Sequence, residues 1–144
     1  MAIAVNEVVA LMKAFHDTVM FDKGDAAAQA AYFLYPEPRI YIFRGADLTL
    51  EDNYRIHQKL TDERHEIIEP MDVVQLSTSP DRARAIGAVY WQGRVVGAPS
   101  DAVVKCLVGE DWIVQRDVGG DLKIALYINS YHRFLPDSAP LDLG

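Results

Sequence analysis

The sequence predicts a single α+β domain in which three N-terminal helices pack on a curved antiparallel sheet. Apolar residues recur at every third or fourth position from Ile3 to Met20, which is typical of one buried helix face. The second half of the chain holds long runs rich in β-branched and aromatic residues, separated by the turn-type segments SPD, GAPS and VGG. A chain of 144 residues has the usual size of one domain and can bury a core without disulfide or metal support.

Two further helices and one strand are predicted before this β-rich half. Asp22 can cap a second helix, and the segment AAAQAAYF has high helix propensity until Pro36 stops it. The alternating segment RIYIF predicts a strand that Gly45 ends. Thr49 and the acidic residues after it predict the start of a third helix that runs to about Arg64. Four strands follow in the segments EIIEPMDVVQLST, RARAIGAVYWQGRVV, DAVVKCLVGEDWIVQRD and LKIALYINSYHRF.

The domain organisation is simple, with no internal repeat and no low-complexity segment. The folded domain is expected to span residues 1–134. Residues 135–144 carry two prolines and no apolar periodicity, so we expect an extended tail that is loosely held or lies on a partner.

Composition limits the partners and the compartment. The formal charge of −7 and the scattered Lys and Arg residues argue against nucleic acid or an anionic membrane surface as a partner. Cys106 is the only cysteine, so no intramolecular disulfide can form and a reducing compartment is expected. The N-terminus has no basic segment before its apolar stretch, and no apolar run reaches the roughly 20 residues needed to cross a bilayer. These features predict a cytoplasmic protein.

The order of the elements resembles the NTF2-like (cystatin-like) superfamily. This cone-shaped fold is shared by nuclear transport factor 2, ketosteroid isomerase, scytalone dehydratase and the SnoaL-like polyketide cyclases. The resemblance covers roughly residues 3–134 and is carried by LMKAF and DKGDAAAQAAYF in the helical pair and by GGDLKIALYINSYH at the end. Such motifs imply architecture rather than chemistry.

The resemblance does not extend to the chemistry of ketosteroid isomerase. Relatives of that enzyme use a tyrosine on the first helix as a hydrogen-bond donor, and the matching position here is Phe15, which has no proton to give. Their general base is an aspartate in the strand after the second helix, and the segment RIYIFR contains no carboxylate. We therefore do not expect the isomerase mechanism.

Two of the four histidines lie in the segment NYRIHQKLTDERHE. Eight residues apart on one helix, His57 and His65 would be separated by a rise of about 12 Å and could not share a metal ion, so no metal site is expected. His57 falls on the apolar side beside Tyr54 and Leu60, where it can serve as an acid–base group or a ligand partner. The alternative is a core histidine bonded to a backbone carbonyl. For His65 a solvated or capping role is expected.

Aromatic side chains are numerous enough to wall an apolar pocket for a small molecule. They equally suit a solidly packed core. The candidate wall residues are Phe15, Tyr32, Tyr41, Tyr54, Trp91 and Trp112.

The last strand suggests a dimer interface. Alternation places Leu122, Ile124, Leu126 and Ile128 on the face that meets the helices. The opposite face mixes aromatic and amide groups, which suits pairing of two sheets better than solvent, although a solvated face is the alternative. The resemblance also implies a homodimer.

Three other positions are weaker candidates. Cys106 is expected to be a buried, inert thiol. Arg116 and Asp117 can form an anion clamp or a cross-strand ion pair. Asp72, bracketed by apolar residues, is an alternative acid–base group or a solvated side chain.

Three functional hypotheses follow from these residues. The favoured one is a homodimeric protein without cofactor that binds a small apolar or carbonyl-containing molecule, with His57 as the main polar group. The second is a SnoaL-like lyase, isomerase or cyclase in which His57 takes a proton and Tyr32 or Tyr54 stabilises the oxyanion. The third is a non-catalytic assembly subunit that docks a partner on its sheet.

Overall fold

The computed structural model describes residues 1–144. The helices are α1 (Val5–Met20), α2 (Ala26–Ala30) and α3 (Leu50–Gln58). The strands are β1 (Arg39–Ile42), β2 (Leu48–Thr49), β3 (Leu60–Thr78), β4 (Asp81–Val95), β5 (Val104–Arg116) and β6 (Leu122–Phe134). No helix is long and apolar enough to cross a membrane.

One curved, open sheet of six strands forms the body of the molecule, in the order β2-β1-β6-β5-β4-β3. The meander from β3 to β6 is antiparallel, as predicted. The short strand β1 adds to the free edge of β6 in parallel, so the sheet is not wholly antiparallel. The predicted α+β class and curved sheet are confirmed.

Helix α1 closes the concave side of the sheet through the apolar face that the sequence predicted. Val8, Met12, Phe15 and Val19 are all buried on that face. Phe15 meets the ring of Trp112 edge-on at 6.1 Å between centroids, which joins the helix to β5.

The helix caps differ in how well they were predicted. Asp25, rather than Asp22, caps α2 and accepts from Ala28 N at 2.9 Å. The predicted cap of α3 is confirmed, because Thr49 Oγ1 accepts from Asp52 N at 3.0 Å and the Asp52 carboxylate accepts from Thr49 N at 3.0 Å.

The predicted extension of the third helix to Arg64 is wrong, since α3 ends at Gln58. From Leu60 onward the chain pairs with β4, where Leu60 lies opposite Val95. The Lys59 carbonyl also accepts from Val96 N at 2.9 Å. Long-range pairing with β4 therefore overrides the helix propensity of this charged segment.

A β-bulge in β6 changes which side chains face the core. Ile124 pairs with Val114 and Leu126 pairs with Ile113, so Ala125 is an extra residue that reverses the alternation. Leu126 is consequently exposed, whereas Tyr127 and Asn129 are buried. The predicted assignment of the two faces is wrong beyond this bulge.

The C-terminal tail lies on its own domain. Leu135 N donates to Lys105 O at 3.0 Å and Ala139 N donates to Val103 O at 2.9 Å, beside the start of β5. Ser138 Oγ accepts from Lys105 N at 2.8 Å. The first half of the tail is thus fixed rather than loosely held, and it leads Leu141 and Leu143 to the wall of a cavity.

Candidate active site

A cavity of about 220 Å³ lies between helices α1 and α3 and the concave face of the sheet. Most of its lining is apolar. The polar groups form two clusters, one at the end of α3 and one on β5 and β6. Cys106 lies at the level of the first cluster and Glu110 belongs to the second; they are four positions apart on β5, or roughly 13 Å along the strand.

The first cluster is built around Glu63, whose side chain is only 1% exposed. His57 Nδ1 lies 2.8 Å from Glu63 Oε1, and Trp91 Nε1 donates to the same oxygen at 3.0 Å. Lys23 Nζ donates to Glu63 Oε2 at 2.6 Å and also to the carbonyls of His57 and Leu60. These bonds tie the loop after α1, the end of α3 and the start of β3 into one rigid unit.

The charges in this cluster set its protonation states. Burial alone would raise the pKa of Glu63, but the hydrogen bonds and charges of His57 and Lys23 outweigh burial and lower it. Since the ionised carboxylate can only accept, His57 Nδ1 donates to Glu63 Oε1, and Nε2 is the ring nitrogen that does not bond to Glu63. The His57 side chain is 15% exposed and lines the cavity, so Nε2 is available to a bound molecule.

Gly93 allows the Trp91 indole to reach Glu63. A Cβ atom at position 93 would lie 2.6 Å from the indole and 3.4 Å from the Glu63 side chain. The absence of a side chain at this position of β4 therefore permits the close approach of the ring.

The second cluster is built around Glu110, a fully buried carboxyl group. Glu110 Oε2 accepts from Trp112 Nε1 at 2.8 Å and from Asn129 Nδ2 at 3.0 Å. Burial raises the pKa of Glu110 to about 8, and the hydrogen bonds from Trp112, Asn129 and Tyr127 only partly oppose this. Glu110 is therefore a neutral acid at pH 7.

His16 and Tyr127 complete this neutral cluster. His16 Nε2 lies 3.4 Å from the Tyr127 hydroxyl and 3.6 Å from Glu110 Oε1. Burial and the nearby His65 and His57 lower the pKa of His16 to about 3, so its ring is uncharged. Burial and the Glu110 carboxyl raise the pKa of Tyr127 well above its usual value. The second cluster thus presents acids that hold their protons.

Three of the predicted pocket residues lie on the cavity. They are Phe15, His57 and Trp91. Trp112 lies behind the wall, where its indole holds Glu110, and Tyr32 packs edge-on against Phe15 with its hydroxyl bonded to Thr18.

The other two predicted aromatics lie elsewhere. Tyr41 lines a separate surface depression beside β6. Tyr54 is on α3 but is not part of the cavity wall. The cavity therefore has fewer aromatic walls than the sequence suggested.

His65 is not the solvated residue that we expected. It lies on β3 with its side chain only 5% exposed, and its Nε2 lies 2.9 Å from Asp17 Oδ1. Its ring stacks on Phe21 at 5.5 Å between centroids. The prediction is wrong because it placed His65 at the end of a helix.

The weaker candidates from the sequence are each exposed, engaged in an ion pair or buried. Asp72 is exposed, and Arg116 binds Glu7 at 2.9 Å rather than forming an anion clamp with Asp117. Cys106 is buried at the cavity wall, and burial raises the pKa of its thiol, which agrees with an inert role. No group of three or more His, Cys, Asp or Glu side chains is arranged to hold a metal ion.

Sequence reasoning missed most of the polar groups of the site. These are Lys23, Glu63, Glu110, Tyr127, Asn129 and His16. One signal was present, because Glu110 lies in phase with Cys106 and Trp112 on β5, which places a carboxyl group on the buried face.

Comparison with known proteins identifies the fold. No protein-family model matches the chain, and no curated protein matches its sequence significantly. Solved structures do match. A ketosteroid isomerase-like protein from Erwinia carotovora has a TM-score of 0.60 and 18% identity, covering 88% of this chain and 94% of its own.

Two further structures extend this similarity. A hexachlorocyclohexane dehydrochlorinase from Novosphingobium barchaimii has a TM-score of 0.66 and 12% identity, covering 95% of this chain and 93% of its own. An NTF2-like protein from Cytophaga hutchinsonii has a TM-score of 0.56 and 11% identity, covering 87% and 95%. The chain has the NTF2-like cone fold, which confirms the resemblance drawn from its sequence. At such low identity the similarity shows the fold and not an activity.

Proposed function

We propose that this protein binds a small, neutral, largely apolar molecule in its cavity and that His57 removes a proton from a carbon atom of that molecule. The reaction would be a lyase or isomerase step. The observation that carries the proposal is the His57–Glu63 pair, 2.8 Å apart, with the other ring nitrogen of His57 on an apolar cavity. A hexachlorocyclohexane dehydrochlorinase and a ketosteroid isomerase-like protein are among the solved structures of this fold.

In the proposed step, Nε2 of His57 accepts the proton and the ring becomes an imidazolium. The Glu63 carboxylate already bonds to Nδ1, so it stabilises the positive charge and holds the ring in the required tautomer. Lys23 and Trp91 keep Glu63 in place without a further proton transfer.

Negative charge that develops on the substrate needs a donor near His57. The protonated groups of the second cluster lie roughly 13 Å from the level of His57 along β5, so they can bond only to the far end of a ligand and not to the atoms beside the proton that His57 removes. Tyr32 and Tyr54, which were expected to stabilise the oxyanion, do not line the cavity.

The lining also limits the charge of the substrate. No Lys or Arg lines the cavity, and the nearby Lys23 ammonium is directed at Glu63. A carboxylate or phosphate group would therefore enter without a cationic partner, at a high desolvation cost. The proposal favours neutral ketones and neutral halogenated compounds.

Hydrogen–deuterium exchange on carbon tests the proposal without knowledge of the natural substrate. A panel of small neutral ketones is incubated with the protein in deuterated water, and loss of the α-proton signal is followed by NMR. We expect exchange of at least one bound ketone, reduced about 10²-fold or more in His57→Gln. His132→Gln, which alters another histidine of the cavity wall, is the matched control and should retain exchange.

The outcomes separate an enzyme from a binding protein. Binding of a ketone with equal exchange in His57→Gln and the unmodified protein would overturn the role of His57. If the protein binds ketones of the panel but exchanges the α-proton of none, it is a ligand carrier and not an enzyme of this kind. A folded protein that binds none of the panel would contradict the proposed ligand class.

We also propose that the protein is a homodimer, as expected from the sequence, and that its two copies pair through the outer face of the sheet. On this face Ile86 of β4 lies between Asp72 and Asp111, and Val74, Arg84, Ile113 and Leu126 form the next row. Exposed Val74, Ile86 and Leu126 lie beside the Arg84–Asp111 ion pair, and such a mixed apolar and charged face suits a sheet-to-sheet contact. Ile86→Glu should convert a dimer to a monomer in analytical ultracentrifugation. A monomer before the substitution would refute the pairing.

A further inference from the structure

Two buried histidines share an unusual feature that the proposed reaction does not use. The side chains of His16 and His65 are 4% and 5% exposed. In each ring Nδ1 is buried and has no hydrogen-bond partner in the protein. An unpaired buried polar atom is costly, so its presence in two adjacent rings calls for an explanation.

The two rings stand in a line between a buried carboxyl group and the surface. Their centroids are 5.1 Å apart in an edge-to-face arrangement. On the inner side, His16 Nε2 lies 3.6 Å from Glu110 Oε1. On the outer side, His65 Nε2 lies 2.9 Å from Asp17 Oδ1, and the Asp17 side chain is 31% exposed. The line therefore leads from the second polar cluster of the cavity to solvent.

Donors and acceptors along this line have one consistent direction. Glu110 Oε2 already accepts from Trp112 and Asn129, so the proton of the neutral acid belongs on Oε1, which faces His16. His16 Nε2 is then the acceptor and its Nδ1 carries the hydrogen.

The outer end of the line fixes the second ring in the complementary form. Burial opposes ionisation of Asp17, but Lys13 and His65 outweigh it and lower its pKa, so Asp17 is a carboxylate. The carboxylate accepts from His65 Nε2, so in the neutral tautomer of this ring Nδ1 is the acceptor. In that tautomer the two unpaired nitrogens are one donor and one acceptor.

We propose that His16, His65 and Asp17 form a proton relay that connects Glu110 with solvent. The O–H bond of Glu110 breaks as an N–H bond forms at His16 Nε2, and the hydrogen on His16 Nδ1 passes to His65 Nδ1 through one water molecule between the rings. The hydrogen on His65 Nε2 then passes to Asp17, which releases it to solvent. Both rings end neutral in the opposite tautomer, and Glu110 ends as a carboxylate.

Such a relay would exchange the proton of Glu110 without a path through the apolar cavity. The 3.6 Å separation of His16 Nε2 and Glu110 Oε1 is slightly longer than a hydrogen bond and closes with a small side-chain movement. Tyr127 bounds the inner end of the relay, and Lys13 bonds to its outer carboxylate. The inference goes beyond the reaction proposed for His57 and needs no substrate for its test.

The experiment follows the protonation of Glu110 by infrared spectroscopy after a rapid rise in pH. The carbonyl stretch of the protonated carboxyl group is assigned by its absence in Glu110→Gln. Asp17→Asn keeps an oxygen that can accept from His65 but cannot take up the proton. We expect this variant to slow the decay of the Glu110 band at least tenfold. Asp22→Asn, an exposed carboxylate just beyond the end of α1, should leave the rate unchanged.

Nitrogen-15 NMR of the histidine rings gives a second and independent readout. At pH 7 we expect hydrogen on Nδ1 of His16 and on Nε2 of His65, and neither ring charged. An unchanged decay rate in Asp17→Asn would overturn the relay, as would hydrogen on Nε2 of both rings. The same is true if no carboxyl band at pH 7 is lost in Glu110→Gln.

Discussion

His57 and Glu63 form a hydrogen-bonded pair, 2.8 Å apart, that joins the last turn of α3 to the start of β3. Glu63 also forms a salt bridge with Lys23, so the same buried carboxylate holds the structure together and positions His57. The pair exists only because α3 stops at Gln58 and the chain turns back as a strand. The geometry of the proposed base is therefore a direct result of the fold.

Replacing Glu63 by Gln should destabilise the protein by about 2 kcal/mol, because the amide cannot balance the Lys23 and His57 groups as a carboxylate does. The folded-state pKa of Glu63 is lowered, so its stabilisation is present above pH 4.5 and is lost as the pH falls through the folded value. Urea unfolding at pH 7 and pH 4 measures both effects. Glu66→Gln, exposed on the same strand, is the control, and an equal effect there would refute this account.

Gly93→Ala should displace the Trp91 indole from Glu63, because the new Cβ would lie 2.6 Å from the ring. We expect a loss of about 1 to 3 kcal/mol from overpacking, together with a change in tryptophan fluorescence. Gly119→Ala is the control, since the nearest atom there is a side-chain oxygen of Asp117 at 3.4 Å. A wild-type emission spectrum in Gly93→Ala would show that the contact is not tight.

Much of the fold was predictable because it rests on local patterns. The apolar stripe of α1, the Thr49 cap and the β-rich runs each need only a few neighbouring residues. The end of α3 was not predictable in this way. It depends on pairing with Val95, more than thirty positions along the chain, which single-sequence propensity does not detect.

The candidate site was predictable only in part for the same reason. The apolar stripe correctly placed His57 on the inner side, but its partner Glu63 was assigned to the continuation of the helix. In β6 a single extra residue, Ala125, reversed the alternation and brought Tyr127 and Asn129 into the interior. Bulges of this kind leave little trace in the local sequence.

The stability of the protein should fall by about 1 kcal/mol between pH 6.5 and pH 8. Glu110 has a folded pKa of about 8 against an ordinary value of 4.5, so stability is lost as the pH rises through this range. His16, with a folded pKa of about 3 against 6.5, has the opposite effect below pH 6.5, and there the two contributions cancel. Urea unfolding across this range measures the fall, which Glu110→Gln should abolish. A flat profile in the unmodified protein would refute a neutral Glu110 at pH 7.

The end of the tail should control access to the cavity, because Leu141 and Leu143 lie on its wall while Asp142 is exposed between them. The segment after Ala139 is fixed mainly by these leucines and by the bond from Lys59 Nζ to Leu143 O at 3.3 Å.

Replacing both leucines by Ser removes apolar contacts, so we expect a neutral fluorescent probe to bind about tenfold more weakly and to dissociate faster. Stopped-flow fluorescence measures the dissociation rate. Asp142→Ser, in the same segment, should bind the probe as the unmodified protein does. If the double variant also keeps the original dissociation rate, the tail is not a wall of the binding site, and access to His57 must be controlled by the helices.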